Sequence, residues 1–151
     1  MSDVVWAINP NKDFLHDLVH RMRRFASDVF SGQQIKFEFH TPDDEENLTL
    51  GANVRREILA IFKEAVNNAA KYSGCSRAII DFRIIDDRLV LKIDDDGKGF
   101  DAEHVLGDDF SPEQGGNGLV NMRRRALDLG GRCEVESEIG KGTNVIVTIP
   151  I

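Results

Sequence analysis

Asp95-Asp96-Gly97-Lys98-Gly99 closes the apolar run Leu89-Val90-Leu91-Lys92-Ile93, and its reading decides how the rest of the chain is arranged. Three more segments stand in order around it. Glu64, Asn68 and Lys71 precede it at spacings i, i+4 and i+7, so they share one face of a helix. Gly116-Asn117-Gly118-Leu119 and Gly140-Lys141-Gly142-Thr143 follow. A carboxylate at a strand end can accept a hydrogen bond from an exocyclic amine, an amide oxygen suits a hard metal ion, and glycines at a helix start leave N–H groups free for phosphate.

Periodicity places these segments on elements. Apolar residues from Asp13 to Phe30 recur at three and four, which predicts an amphipathic helix. Ile35 to Phe39 alternates as a strand, and Thr41 to Asn47 is an acidic loop. Residues 52–73 form the longest helical pattern, closed by Gly74 as a C-cap. Strands Arg77–Ile85 and Arg88–Asp94 meet at Asp86-Asp87, a tight turn. Residues 100–117 lack periodicity and read as a mobile loop, of a length that is usually functional or disordered. A helix from Leu119 to Leu129 stops at Gly130-Gly131, and strands Arg132–Ser137 and Asn144–Ile149 finish the chain. The sum is an α+β fold, a two-layer sandwich in which helices cover one face of a mixed or antiparallel sheet.

Composition narrows the function. A length of 151 residues suits one domain with a real core. No apolar run approaches the roughly 20 residues that span a bilayer, and no signal peptide opens the chain, so no membrane contact is expected of this domain. A net charge of −7 argues against nucleic acid as a partner. Cys75 and Cys133 fit neither a metal pattern nor a disulfide framework and read as two reduced thiols. His16 and His20 have no apparent third ligand.

The four segments, in this order and on these elements, resemble the ATP site of the GHKL (Bergerat-fold) superfamily. Within it the chain is similar to the catalytic domain of bacterial sensor histidine kinases of the DesK and NarX type, over about Asp13 to Pro150. The resemblance implies a Bergerat sandwich that binds ATP and Mg²⁺. Asn68 holds the magnesium-ligand position of the N-box, Lys71 the phosphate-contacting one, and Glu64 the position of a catalytic carboxylate that also serves the metal. Tyr72 stands where many members have His. Asp95, with Gly97 and Gly99, is the adenine-reading turn, and Asp96 replaces the commoner Asn. Gly116, Gly118 and Leu119 form the second glycine box, with Phe110 in the lid before it. Thr143 shares the contact of Asp95 to the base. Arg123 follows on the same helix as a candidate phosphate contact.

The same resemblance sets the expected domain plan. Trp6-Ala7-Ile8-Asn9-Pro10 is similar to the junction that links a dimerisation hairpin to the ATP domain, giving residues 1–10 as junction and 11–151 as one catalytic domain. Leu15-His16-Asp17 mimics a phospho-acceptor motif, but no second long helix fits between His16 and Asn68 to complete the hairpin. The implied partners are ATP, the histidine-bearing dimerisation domain of the same kinase and, indirectly, a response regulator. The implied place is the cytoplasm, with a parent anchored in the inner membrane. The alternatives are a GHKL serine kinase acting on a sigma-factor system and a nucleotide-binding interaction module without phosphotransfer.

Overall fold

Strand alternation builds the sheet, and one helix at its centre builds the core. The structure is a computed structural model that describes residues 15–41, 50–71, 74–98 and 117–151. Within these, α1 spans Leu15–Gly32, β1 Lys36–His40, α2 Ala52–Lys71, β2 Arg77–Ile85 and β3 Arg88–Asp95. After them come α3 at Asn117–Asp128, β4 at Arg132–Ser137 and β5 at Thr143–Pro150. The expected junction at 1–10, most of the acidic loop and the loop 100–116 lie outside the described residues.

The five strands run in the order β1-β2-β3-β5-β4. β1 lies parallel to β2, whereas the β2–β3, β3–β5 and β4–β5 pairs are antiparallel. The sheet is therefore mixed. Parallel neighbours cannot be joined by a tight turn, and the crossover between β1 and β2 contains α2.

Every second residue points to the helices. Ala78, Ile80 and Phe82 of β2, Leu89, Leu91 and Ile93 of β3, and Val145, Val147 and Ile149 of β5 are buried. The alternate positions form a polar face, where Arg83 grips Asp81 at 2.9 Å and Arg132 meets Glu134 at 3.1 Å. Such alternation is what a sheet covered on one side requires.

α2 packs against both other helices and β3. Its Phe62 is fully buried and meets Phe25 of α1 and Phe39 of β1 edge-on, at centroid distances of 6.4 and 6.0 Å. Burying a ring of that size contributes about 1.5–3 kcal/mol. α3 adds Leu119, Met122 and Ala126 to the same core, and Arg125 Nη1 donates to Glu57 Oε1 at 2.6 Å to brace α3 on α2.

Two boundaries moved for a physical reason. β3 extends to Asp95 and β5 begins at Thr143, each one residue beyond the pattern, because Asp95 and Thr143 pair as the last rung of their ladder. α3 starts at Asn117, two residues ahead of its apolar periodicity.

The β2–β3 connection places both Asp86 and Asp87 at positive φ, 49° and 62°. Two left-handed central residues define the type I′ turn, whose twist suits a hairpin, and Asp tolerates that conformation less well than Gly. Asp87→Gly is expected to raise the thermal midpoint by about 2–4 °C for each kcal/mol of relieved strain, measured by calorimetry. A midpoint lowered by the change would contradict that account of the turn.

Candidate functional site

Asp95 ends β3 with a side chain on the buried face of the sheet, only 9% exposed. The backbone N–H of Gly97 donates to its Oδ1 at 2.9 Å, and the N–H of Thr143 also donates to the carboxylate. Burial pushes the Asp95 carboxyl above its ordinary value, against the pull of these two N–H groups, and the neighbouring charges of Asp94 and Asp96 add to the rise. The result is a desolvated acceptor held in a fixed direction.

Gly142 makes that arrangement possible. Its φ is +83°, and a Cβ there would run into the carbonyl oxygen of Asp95, with the Asp95 carbonyl carbon at 3.1 Å. The β4–β5 turn can therefore lie directly on the end of β3. Gly140 N–H donates to Lys98 O at 2.6 Å and ties the same turn to the glycine turn after Asp95.

Asp96 works in a different direction from Asp95. Its Oδ1 accepts the N–H groups of Ser76 and Arg77 at 2.8 and 3.0 Å, and its Oδ2 accepts Ser76 Oγ–H at 2.9 Å. Its own N–H donates to Arg77 O at 3.2 Å. The extra negative charge is thus spent on fastening the start of β2. These backbone bonds hold the Asp96 carboxyl below its ordinary value.

The second half of the site lies between α2 and α3. A Cβ on Gly118 would collide with the Glu64 carboxylate, with Cδ at 2.9 Å and Asn68 Nδ2 at 3.1 Å. The start of α3 therefore sits on the face of α2 that carries Glu64 and Asn68, and a side chain at position 118 would have to push the Glu64 carboxylate aside. Glu64 and Asn68 are half-buried, Lys71 is exposed at the end of α2, and Leu119 lies in the core. The two halves are joined where the chain leaves α2: Cys75 Sγ donates to Ala69 O at 3.5 Å, one residue before the Ser76–Asp96 contact.

So the structure brings Asp95, Gly97 and Thr143 together at one end, and Glu64, Asn68 and Gly118 at the other. Tyr72, Gly99, Gly116 and Phe110 lie outside the described residues. Arg123 Nε points to Cys133 O at 3.4 Å, on the β4 side of α3. Cys75 and Cys133 are buried and form no disulfide with each other, and burial pushes the Cys133 thiol to about 11. Among the described residues no three His, Cys, Asp or Glu side chains form a metal cluster. Sequence periodicity missed Ser137, whose Oγ lies 2.9 Å from Thr143 Oγ1; the hairpin register of Ser137 opposite Thr143 was its only signal.

Residues 53–151 match the family described as histidine kinase-, DNA gyrase B- and HSP90-like ATPase, and the chain belongs to that family. It is 34% identical over 109 residues to an uncharacterized sensor-like histidine kinase of Chloroflexus aurantiacus, covering 72% of this chain and 18% of that protein. It is 32% identical over 108 residues to the sensor histidine kinase LiaS of Bacillus subtilis, covering 72% of this chain and 28% of LiaS. The chain thus spans under a third of these relatives. The catalytic domain of the histidine kinase ThkA superposes with a TM-score of 0.71 at 20% identity, covering 91% of this chain and 93% of that one, so the Bergerat fold is shared.

Asp96 gives a pH signature. A carboxyl lowered in the folded state contributes stability that is complete above its unfolded value near 3.8 and is lost as pH falls through the lowered value. Asp96→Ala is expected to lower the thermal midpoint at pH 7, with the gap to wild type narrowing on acidification below that value. A gap that stays constant from pH 7 to 2.5 would contradict the assignment.

Proposed function

We propose that the chain is the ATP-binding catalytic domain of a sensor histidine kinase, and that Asp95 reads adenine. The observation that carries this is the Asp95–Thr143 rung, which holds a buried carboxylate beside a hydroxyl where an adenine edge would enter. An ionised carboxylate only accepts hydrogen bonds. The exocyclic amine of adenine matches it, whereas the oxygen of guanine faces it with a second acceptor. A site built on such a bond rejects the mismatched base strongly.

The triphosphate extends from the base toward α2 and α3. Lys71 supplies a point charge, and the start of α3 at Gly118 supplies N–H groups, with Gly116 given the same role by the family resemblance. Asn68 and Glu64 fit Mg²⁺: two oxygen-bearing side chains on one helix face, both against the start of α3, suit a hard cation that completes its shell with phosphate and water. When bound, Mg²⁺ neutralises charge on the transferring phosphoryl group. A histidine nitrogen on the dimerisation domain attacks the γ-phosphorus, the bond to the β–γ bridging oxygen breaks, and ADP leaves. The chain's contribution is positioning and electrostatics.

The same reading gives the domain plan: residues 1–10 as a junction and 11–151 as one catalytic domain, with the dimerisation domain and a response regulator as partners. No helix among the described residues is long and apolar enough to cross a membrane. We assign the domain to the cytoplasm, with its parent anchored in the inner membrane.

Calorimetric titration tests the assignment. ATP is expected to bind and GTP to fail, and Asp95→Asn is expected to weaken ATP by roughly a hundredfold or more. A carboxyl raised by burial costs the folded state at pH values above its folded value, and that cost vanishes below the unfolded one. Asp95→Asn is therefore expected to keep or raise the thermal midpoint at pH 7. A folded mutant that binds ATP as wild type does would overturn the proposal.

A further inference from the structure

The residue after the buried Asp95 carboxylate turns toward β2 instead. Asp96 Oδ1 accepts the N–H groups of Ser76 and Arg77 at 2.8 and 3.0 Å, and its Oδ2 accepts Ser76 Oγ–H at 2.9 Å. Those partners stand where the chain comes off α2. Lys71 is the last residue of that helix, and Gly74, at a φ of +66°, lies between it and the sheet. Cys75 Sγ reaches back to Ala69 O, in the last helical turn, at 3.5 Å. A chain of contacts thus runs from the end of β3 through Asp96, Ser76 and Cys75 to the turn that carries Lys71.

The two ends of this chain are not held alike. On the β3 side, the N–H groups of Gly97 and Thr143 fix the Asp95 carboxylate, and Gly140 ties down Lys98, by bonds in which Asp96 takes no part. On the other side is the C-terminal turn of a helix, which has carbonyls without helical partners and opens at little cost. The end of β3 is therefore the anchor, and the exit of α2 is what it anchors.

The clamp needs shape and acceptors rather than charge. A side-chain amide has the shape of a carboxylate, and its oxygen also accepts two N–H groups. The Nδ2 of an asparagine at position 96 would donate to Ser76 Oγ, whose own proton then turns to water, since Ser76 is exposed. All three contacts survive that exchange, one of them reversed. Glutamate keeps the charge but sets its carboxylate one methylene farther out. Alanine removes charge and clamp together.

We infer that Asp96 is a positioning residue for phosphate binding: it clamps the exit of α2 to the end of β3 and so holds Lys71 in place for the triphosphate. The inference rests on the proposal that Lys71 meets the phosphates. Asp96 itself is assigned no contact with the nucleotide.

The test is the dissociation constant for Mg-ATP, measured by calorimetry, with amide-shift titration for the weaker binders. Asp96→Ala, Asp96→Asn and Asp96→Glu are each made with Lys71 present and in the Lys71→Ala background, and each is shown folded by its amide spectrum. Asp96→Asn is expected to bind ATP as tightly as wild type or tighter, having lost a negative charge near a polyanion. Asp96→Ala has lost the same charge, so its difference from Asp96→Asn measures the clamp alone. That difference is expected to be about tenfold weaker binding, the scale of one anchoring hydrogen bond. Asp96→Glu is expected to weaken ATP against wild type by a similar factor. In the Lys71→Ala background, Asp96→Ala and Asp96→Asn bind alike. An Asp96→Ala that binds as Asp96→Asn does overturns the inference. So does a difference that is as large without Lys71, which a general loosening of the fold would give. An Asp96→Glu that keeps the affinity while Asp96→Asn loses it makes charge the cause and overturns the clamp. A Lys71→Ala that binds ATP as wild type does overturns the phosphate assignment, and a wild type that binds no ATP overturns the proposed function; either takes this inference with it.

Discussion

The contact on which the site depends is that of Gly142 against the carbonyl of Asp95. β3 and β5 are central antiparallel neighbours, and their ladder runs to its final rung only because no side chain stands between the β4–β5 turn and the end of β3. That closeness puts Thr143 N–H on the Asp95 carboxylate and brings Lys98 within reach of Gly140. It also sets the hairpin register that places Ser137 behind Thr143. A larger residue at position 142 would separate all of these at once.

The electrostatics follow from burial more than from total charge. The chain carries a net charge of −7 and three consecutive aspartates at the site. They are not equivalent. Asp94 is exposed on the open face of the sheet, Asp96 is committed to the start of β2, and Asp95 alone is buried toward the helices. One carboxyl is raised and its neighbour lowered, because one is desolvated and the other collects backbone N–H groups. A polyanionic ligand can approach such a protein because the cations lie locally: Lys71 and Lys98 are exposed on the segments that frame the site.

Much of this was legible in the sequence, because it is written in local terms. The period of two along Leu89–Ile93 and of three to four along α2 gave the elements and their buried faces, and the order of the four motifs pointed to the family the chain belongs to. What was not legible is what long-range packing decides. The choice of a mixed sheet rests on β1 lying parallel to β2, which alternation in Ile35–Phe39 does not reveal. Asp96 looked like added charge near the base, yet it fastens a segment twenty positions away in sequence. The braces Arg125–Glu57 and Gly118–Glu64 join helices whose separate patterns say only that each has an apolar side.

The central claim is that the base lies at the Asp95–Thr143 rung and the phosphates between α2 and α3. Amide chemical-shift mapping of the isotopically labelled chain, titrated with Mg-ATP, tests it most directly. The account predicts the largest shifts at Gly97, Gly118, Asn68, Lys71 and Thr143, with Arg83, Lys92 and Ile146 on the open face of the sheet unmoved. Shifts concentrated on that open face, or saturating shifts that leave Gly97 and Thr143 in place, would contradict it.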